Sequence, residues 1–434
     1  MEVNKTLIEE GENKENCSSL LTKKMVKREM DPIISIFEKY NNCSDTNKIN
    51  LTVGAYRDEN LKPYVFKCVI KAEKDLIGKM PKEYPSSIGD EDFLNCCRKL
   101  FFKDDSKEYL DNRIVSCQSF AGTGSVFLIM KSLKYIKKLK NKTVYITNPT
   151  WSNHLLISDE SHMKYKEYDY YDQYNSKLNL ENILKTIEEA ENESIFILHT
   201  CSHNPTGCDP TKEEWQKIIE GISKKNHFII FDTAYQGFAT GDLEEDIYAI
   251  RLATNNNLDI AICQSFSKNM GLYGERAGAI HLLIKDYSDK NKNKILTDKL
   301  KRIFAKVALS TYLVPDMYGA YIIKRVLTEY YDEWKEELKK CIERLKDMRI
   351  KLYNNLIKID TPGNWDHIKN QKGMFAYSGL SYKECDYLIN KKNTFLLYSG
   401  RISLCGINDE NVLRVAEFIK EARINNNSGE SKTN

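Results

Sequence analysis

Residues 263–278 read CQSFSKNMGLYGERAG, with Lys268 behind a Ser-Phe-Ser run and Arg276 eight positions later. A lysine in such a stretch can be a solvated charge, a phosphate ligand or a covalent catalyst. The last role needs a partly dry pocket and a carbonyl partner. Other clusters accompany it. FDTAYQGF (231–238) places Asp232 directly after an apolar run, with Tyr235 three residues on. A carboxylate there is costly unless paired or hydrogen-bonded, although a helix cap is a simpler use for it. AGTGS (121–125) offers glycines and a helix start, which together can cradle an anion. A plain tight turn meets the same pattern, and neither a G-K-[ST] ending nor a G-x-G-x-x-G fingerprint is present. SHNPTG (202–207) carries Asn204 before a proline, and NPTWSNH (148–154) carries Trp151 and His154. A turn and a core tryptophan explain those two equally well. Ser265-x-x-Lys268 also fits a serine-acylase pattern, but the S-D-N and K-T-G segments that chemistry requires are missing.

The elements that must hold these residues alternate. RIVSCQSF, KTVYITN, SIFILHT, HFIIFDT, LDIAICQSF and AGAIHLLI are short apolar runs, and amphipathic segments such as VFLIMKSLKYIKKL and KEEWQKIIEGISKK separate several of them. That pattern predicts an α/β fold with a mostly parallel sheet covered on both faces. Ligands of such sheets bind beyond the carboxyl ends of the strands, which is where every unusual cluster falls.

Composition excludes several classes. The chain has 434 residues, 41% hydrophobic and 29% charged, with a net charge of +3. Mixed charge of this kind gives no reason to expect nucleic acid or a membrane as partner. The apolar runs are too short to span a bilayer. Twelve cysteines show no metal-ligand spacing, read as reduced cytosolic thiols, and no metal is expected. The first 30 residues are polar. Glu9, Glu10, Glu12 and Glu15 argue against a mitochondrial transit peptide, so a cytoplasmic location is expected. The polar end, 423–434, reads as a disordered tail.

Pyridoxal phosphate asks a protein for a lysine, an acid for its pyridine nitrogen, a phosphate cradle and a ring platform. Lys268, Asp232, AGTGS with Arg276, and Trp151 supply one of each. At this point the sequence resembles the aspartate aminotransferases, within the fold type I pyridoxal-phosphate enzymes. INLTVGAYRDE, NPTWSNH, HNPTG, FDTAYQGF, SFSKNMGLYGERAG, TPGNWDHIKNQKGMFAYSGL and SGRISLCGI match that family's blocks in order, from about 31 to 422.

The resemblance implies a large cofactor-binding domain (62–330) and a smaller α+β domain (31–61 with 331–422). It implies that Lys268 carries the cofactor and shuttles a proton, and that Asp232 pairs with the ring nitrogen, supported by His154. Tyr235 and Asn204 would bond the ring oxygen, and Trp151 would stack on the ring. Gly122, Thr123, Ser265 and Arg276 would hold the phosphate, joined by Tyr84 from a partner subunit in a homodimer with shared sites. Arg401 would clamp the substrate α-carboxylate beside Val53, Gly54, Trp151 and Asn204. The implied substrates are an L-amino acid, by default aspartate, and a 2-oxo acid. One block departs. The family's RxxxSNPPxxGA, whose arginine comes from the partner and reads a side-chain carboxylate, corresponds to KRIFAKVALSTYLVPDMYGA (301–320). Aligned on Pro315 and Gly319, Leu309 stands at the arginine's place, with Arg302 and Lys306 nearby. An aromatic or broad specificity, or a binding protein that has lost catalysis, are the alternatives.

Overall fold

The computed structural model describes residues 32–430 apart from Val53. The N-terminal extension 1–30, Val53 and residues 431–434 lie outside the described residues.

The apolar runs form one seven-stranded sheet. Its strands are β1 (Ile114–Phe120), β2 (Val144–Asn148), β3 (Tyr165–Asp169), β4 (Ile195–His199), β5 (Phe228–Thr233), β6 (Ile260–Ser265) and β7 (Ala277–Leu283). The spatial order is β1-β7-β6-β5-β4-β2-β3. β7 runs antiparallel to both neighbours, and the pairs from β6 through to β3 are parallel. The expected mostly parallel sheet is therefore present.

Every residue of β4 to β7 is buried, as strands covered on both faces must be. Alternate side chains feed two cores. Ile229, Phe231, Ile260 and Ile262 pack with Trp215, Ile218 and Trp334 on one face. Phe228, Ile230, Ala261 and Cys263 pack with Leu128, Ile129 and Phe304 on the other. The period-2 alternation of strand side chains makes this partition.

A 28-residue helix, Tyr331–Lys358, extends from this body. Beyond it lie two short ladders, Phe375–Tyr377 against Arg401–Ser403 and Ile49–Asn50 against Thr394–Phe395. The second joins the first described residues to the last third of the chain. The expectation of a disordered tail from 423 is corrected. The last helix runs Val412–Glu430, and Arg423 is tied down by Glu384 at 3.1 Å and by the Gly379 carbonyl.

The junction of β1 with helix Ala121–Leu133 depends on one glycine. A Cβ on Gly278 in β7 would stand 2.4 Å from the Gln264 carbonyl oxygen and 2.8 Å from Ala121 Cα. Both obstacles are backbone, so neither can swing away. Gly278→Ala should lower stability by about 1–3 kcal/mol, the usual cost of overpacking. An unchanged midpoint in urea unfolding would contradict this.

Candidate active site

The cleft forms where β4, β5 and β6 end and the helix after β1 begins. It encloses about 180 Å³ and is lined by Gly122, Thr123, Trp151, Asn204, Asp232, Tyr235, Ser265, Lys268 and Arg276, all singled out from sequence. AGTGS is the first turn of helix Ala121–Leu133, so its free amides open towards the cleft. A Cβ on Gly122 would lie 3.5 Å from Ser265 Cβ and 3.9 Å from Asp232 Oδ1, which shows how closely this backbone approaches the strand ends.

Asp232, the penultimate residue of β5, is 4% exposed. His154 Nε2 lies 3.0 Å from its Oδ2, and Thr150 Oγ1 lies 2.8 Å from His154 Nδ1. Burial works to raise the Asp232 carboxyl, but the His154 bond and the Ala234 amide hold it below the ordinary value. Its Oδ1 is buried without a partner. An orphaned carboxylate oxygen at the floor of a cleft calls for a donor from a bound ligand. The protonated nitrogen of a pyridine ring has the right charge and the single N–H.

Lys268 Nζ donates to the Gly54 carbonyl at 2.5 Å and lies 4.9 Å from the Tyr273 ring centre. Burial, with Arg401 and Arg276 nearby, pushes its amine down to about 8 against the Cys405 thiol's opposing pull. A lysine that loses its proton this readily is a usable nucleophile. Arg276, on an exposed side chain, donates to Ser267 Oγ and to the Tyr273 carbonyl, each at 3.2 Å. Arg401 is buried at the start of its short strand. It donates to Asn204 Oδ1 at 3.1 Å and the Thr52 carbonyl at 2.6 Å, and its guanidinium lies 4.2 Å from the Phe375 ring centre. Trp151 meets the His154 ring edge-on at 5.3 Å. Burial raises the Tyr235 hydroxyl, so it stays protonated and can donate.

Tyr84 is not brought to this cleft. It is 77% exposed and is not among the residues lining the cleft. Val53 lies outside the described residues. Sequence reasoning missed His199, Ser267 and Tyr273, which also line the cleft. His199 ends β4, and its terminal position in the apolar run IFILH was the available signal. Burial holds its pKa at about 3, so it is a neutral ring at physiological pH. His154, His199 and Asp232 have ligand atoms within 4.8 Å of one another. Both His154 nitrogens are already engaged, which leaves a metal ion an incomplete donor set.

The family model for aminotransferase class I and II matches residues 46–419. The chain is 40% identical over 396 residues to a cytoplasmic aspartate aminotransferase of Dictyostelium discoideum, covering 91% of this chain and 88% of that one. The solved aspartate aminotransferase from Saccharomyces cerevisiae cytoplasm superposes with a TM-score of 0.89 at 37% identity, covering 93% of this chain and 98% of that one. An aromatic-amino-acid aminotransferase from Burkholderia pseudomallei, covalently bound to pyridoxal phosphate, gives 0.88 at 29% identity, covering 93% and 100%.

The depressed Lys268 amine has a thermodynamic consequence. Between about pH 8 and its ordinary 10.5 the folded chain binds fewer protons at this site than the unfolded chain. Stability therefore rises with pH across that window, and the penalty is fully present below it. In the ligand-free chain, Lys268→Met should be more stable than wild type at pH 7, and the gap should close between pH 8 and 10.5. Parallel stability curves from pH 7 to 10.5 would contradict the assignment.

Proposed function

The chain belongs to the class I and II aminotransferases, and we propose that it exchanges the amino group of an L-amino acid, by default aspartate, with 2-oxoglutarate in a ping-pong reaction. The observation that carries this reading is one cleft joining a low-pKa lysine to a buried carboxylate oxygen that lacks a donor. Pyridoxal phosphate is the cofactor, and when bound it supplies an electron sink for the substrate α-carbon.

On this reading Lys268 is the covalent anchor. It would also be the base for the substrate α-proton. With a pKa of about 8, roughly a tenth of it is neutral at pH 7, enough for general-base work. Asp232 holds the ring nitrogen's proton, and His154 fixes the carboxylate from behind. Tyr235 and Asn204 donate to the ring oxygen, and Trp151 covers the ring face. Gly122, Thr123, Ser265 and Arg276 receive the phosphate. Arg401 receives the α-carboxylate in a bidentate fork, beside Gly54.

The division into a large part (62–330) and a small part (31–61 with 331–422) belongs to the same proposal, as does a homodimer. Tyr84 would reach the neighbouring phosphate. Ile77, Leu309, Leu313 and Tyr318 are 72%, 51%, 52% and 43% exposed, an amount of open apolar surface that suits a second copy. No helix among the described residues is long and apolar enough to cross a membrane. The acidic N-terminal residues favour the cytoplasm, although a mitochondrial relative from Dictyostelium discoideum is also 40% identical.

A broader specificity is the second reading, and one observation favours it. Leu309 is exposed, and Lys306 lies over the Tyr135 ring at 4.5 Å. Side-chain carboxylate recognition would then lack its charged fork, which is worth about 1.5–3 kcal/mol.

Three measurements test these points. Turnover of aspartate with 2-oxoglutarate should fall by at least roughly 10²–10⁴-fold in Lys268→Ala, the scale of a lost acid–base group alone. Retained turnover would remove the lysine from the mechanism. Co-expressing Tyr84→Phe with Lys268→Ala chains should yield hybrids with one intact site. A fully active monomer by sedimentation would overturn the shared site. Across aspartate, glutamate, tyrosine, phenylalanine and leucine, kcat/KM should show a weaker preference for aspartate than is usual in this family. A thousandfold aspartate preference that Arg302→Ala or Lys306→Ala abolishes would show a rebuilt anchor in the 301–320 segment.

A further inference from the structure

Arg349 lies in helix Tyr331–Lys358, is 4% exposed, and among the described residues makes no ion pair with a carboxylate. A buried cation without a counter-ion is expensive, so its partners need a reason. They are backbone carbonyls of one short stretch. Nη2 donates to Gly373 O and Phe375 O, each at 2.8 Å, and Nη1 to Ile368 O at 3.3 Å. Burial presses its pKa down to about 9, relieved in part by the more distant Asp209, so it remains a cation at neutral pH.

The stretch 368–375 is the support for Arg401 from two sides. Phe375 presents the ring against which the Arg401 guanidinium lies, and the strand Phe375–Tyr377 pairs directly with Arg401–Ser403. The loop that carries Asn204, the second partner of Arg401, rests on the same stretch. The Lys372 amide donates to Gly207 O at 2.7 Å. A Cβ on Gly207 would meet Lys372 O at 2.9 Å and Phe375 O at 3.1 Å, and a Cβ on Gly373 would meet Ser202 Oγ at 2.5 Å. Asp209 closes the other end of that loop by accepting the Ser202 and His203 amides at 2.7 and 2.8 Å. The guanidinium of Arg349 therefore organises both supports of Arg401 without touching the cleft.

We propose that Arg349 is a positioning residue for substrate carboxylate recognition, acting through the 368–375 backbone on Phe375 and Asn204 and hence on Arg401. The inference rests on the reading of Arg401 as the α-carboxylate ligand. Lysine at 349 keeps the charge but cannot cover three carbonyls in a planar fork, and methionine removes the charge at similar length.

The experiment compares Arg349→Lys, Arg349→Met, Phe375→Leu and Arg401→Lys, each loaded with cofactor. KM for aspartate and 2-oxoglutarate, kcat, the visible spectrum and its pH titration, and binding of succinate as a plain carboxylate probe are measured. Arg349→Lys should raise KM and the succinate Kd by roughly tenfold, the scale of a lost hydrogen bond to a charged group. Bound cofactor per chain and kcat should stay within about threefold of wild type, a change well under one such bond. Arg349→Met should shift KM further in the same direction. If that variant does not fold, Arg349→Lys and Phe375→Leu carry the test, since Phe375→Leu removes the ring and leaves the carbonyl. Equal losses in cofactor spectrum, kcat and KM would mean a merely structural role and overturn the proposal, as would unchanged KM and succinate binding. If Arg401→Lys itself leaves KM and succinate Kd unchanged, the underlying reading of Arg401 fails instead.

Discussion

The site depends on a negative charge held at the carboxyl end of a buried strand. Asp232 occupies a place where an isolated carboxylate would take up a proton. The His154 bond, with Thr150 behind it, and the Ala234 amide keep it ionised. One oxygen is thereby satisfied and the other is left facing the cleft. A variant of the fold that satisfied both oxygens would be more comfortable and chemically idle. The unmet oxygen suits a ligand with a protonated ring nitrogen.

Cations gather around that charge for separate purposes. Arg276 stands at the open mouth, Lys268 inside, and Arg401 deep on a strand from the far end of the chain. Their mutual repulsion and the dryness of the site act together on the one member that can release a proton, and Lys268 falls to about 8. In this structure the Lys268 and Arg401 donors rest on the carbonyls of Gly54 and Thr52. One segment, contributed by the first part of the chain, thus occupies both cations. Ligands that carry a carbonyl and a carboxylate would compete with these backbone oxygens and with Asn204 Oδ1.

Much of this was legible in the sequence. The strands that end in Asp232 and Ser265 are continuous apolar runs, because both their faces are covered. Helix Lys212–Lys225 was read from its amphipathic pattern, and the structure adds a capping box between Thr211 and Glu214. β3 was not read, since Tyr165–Asp169 is an edge strand with mostly exposed side chains and no apolar run to mark it. The end of the last helix, from 423, was taken for a tail. Its polar residues outweigh its apolar ones, and its anchorage comes from contacts with Glu384 and Gly379 that no local pattern encodes. Of the site, His199, Ser267 and Tyr273 were missed, the last two although they lie inside the SFSKNMGLYGERAG motif, because nothing in a serine or tyrosine there marks its contacts. His199 is a single histidine at a strand end, and Tyr273 matters through the Lys268 amine over its ring and the Tyr56 amide on its hydroxyl. Arg349 was invisible for the same reason, since its partners are carbonyls and carbonyls belong to every residue.

The central claim is that Lys268 binds pyridoxal phosphate covalently in this cleft. Borohydride reduction of the purified protein followed by peptide mass mapping tests it most directly. The account expects one pyridoxyl label per chain, on the peptide containing Lys268. A label on another lysine, or none in protein that carries stoichiometric cofactor, would contradict it.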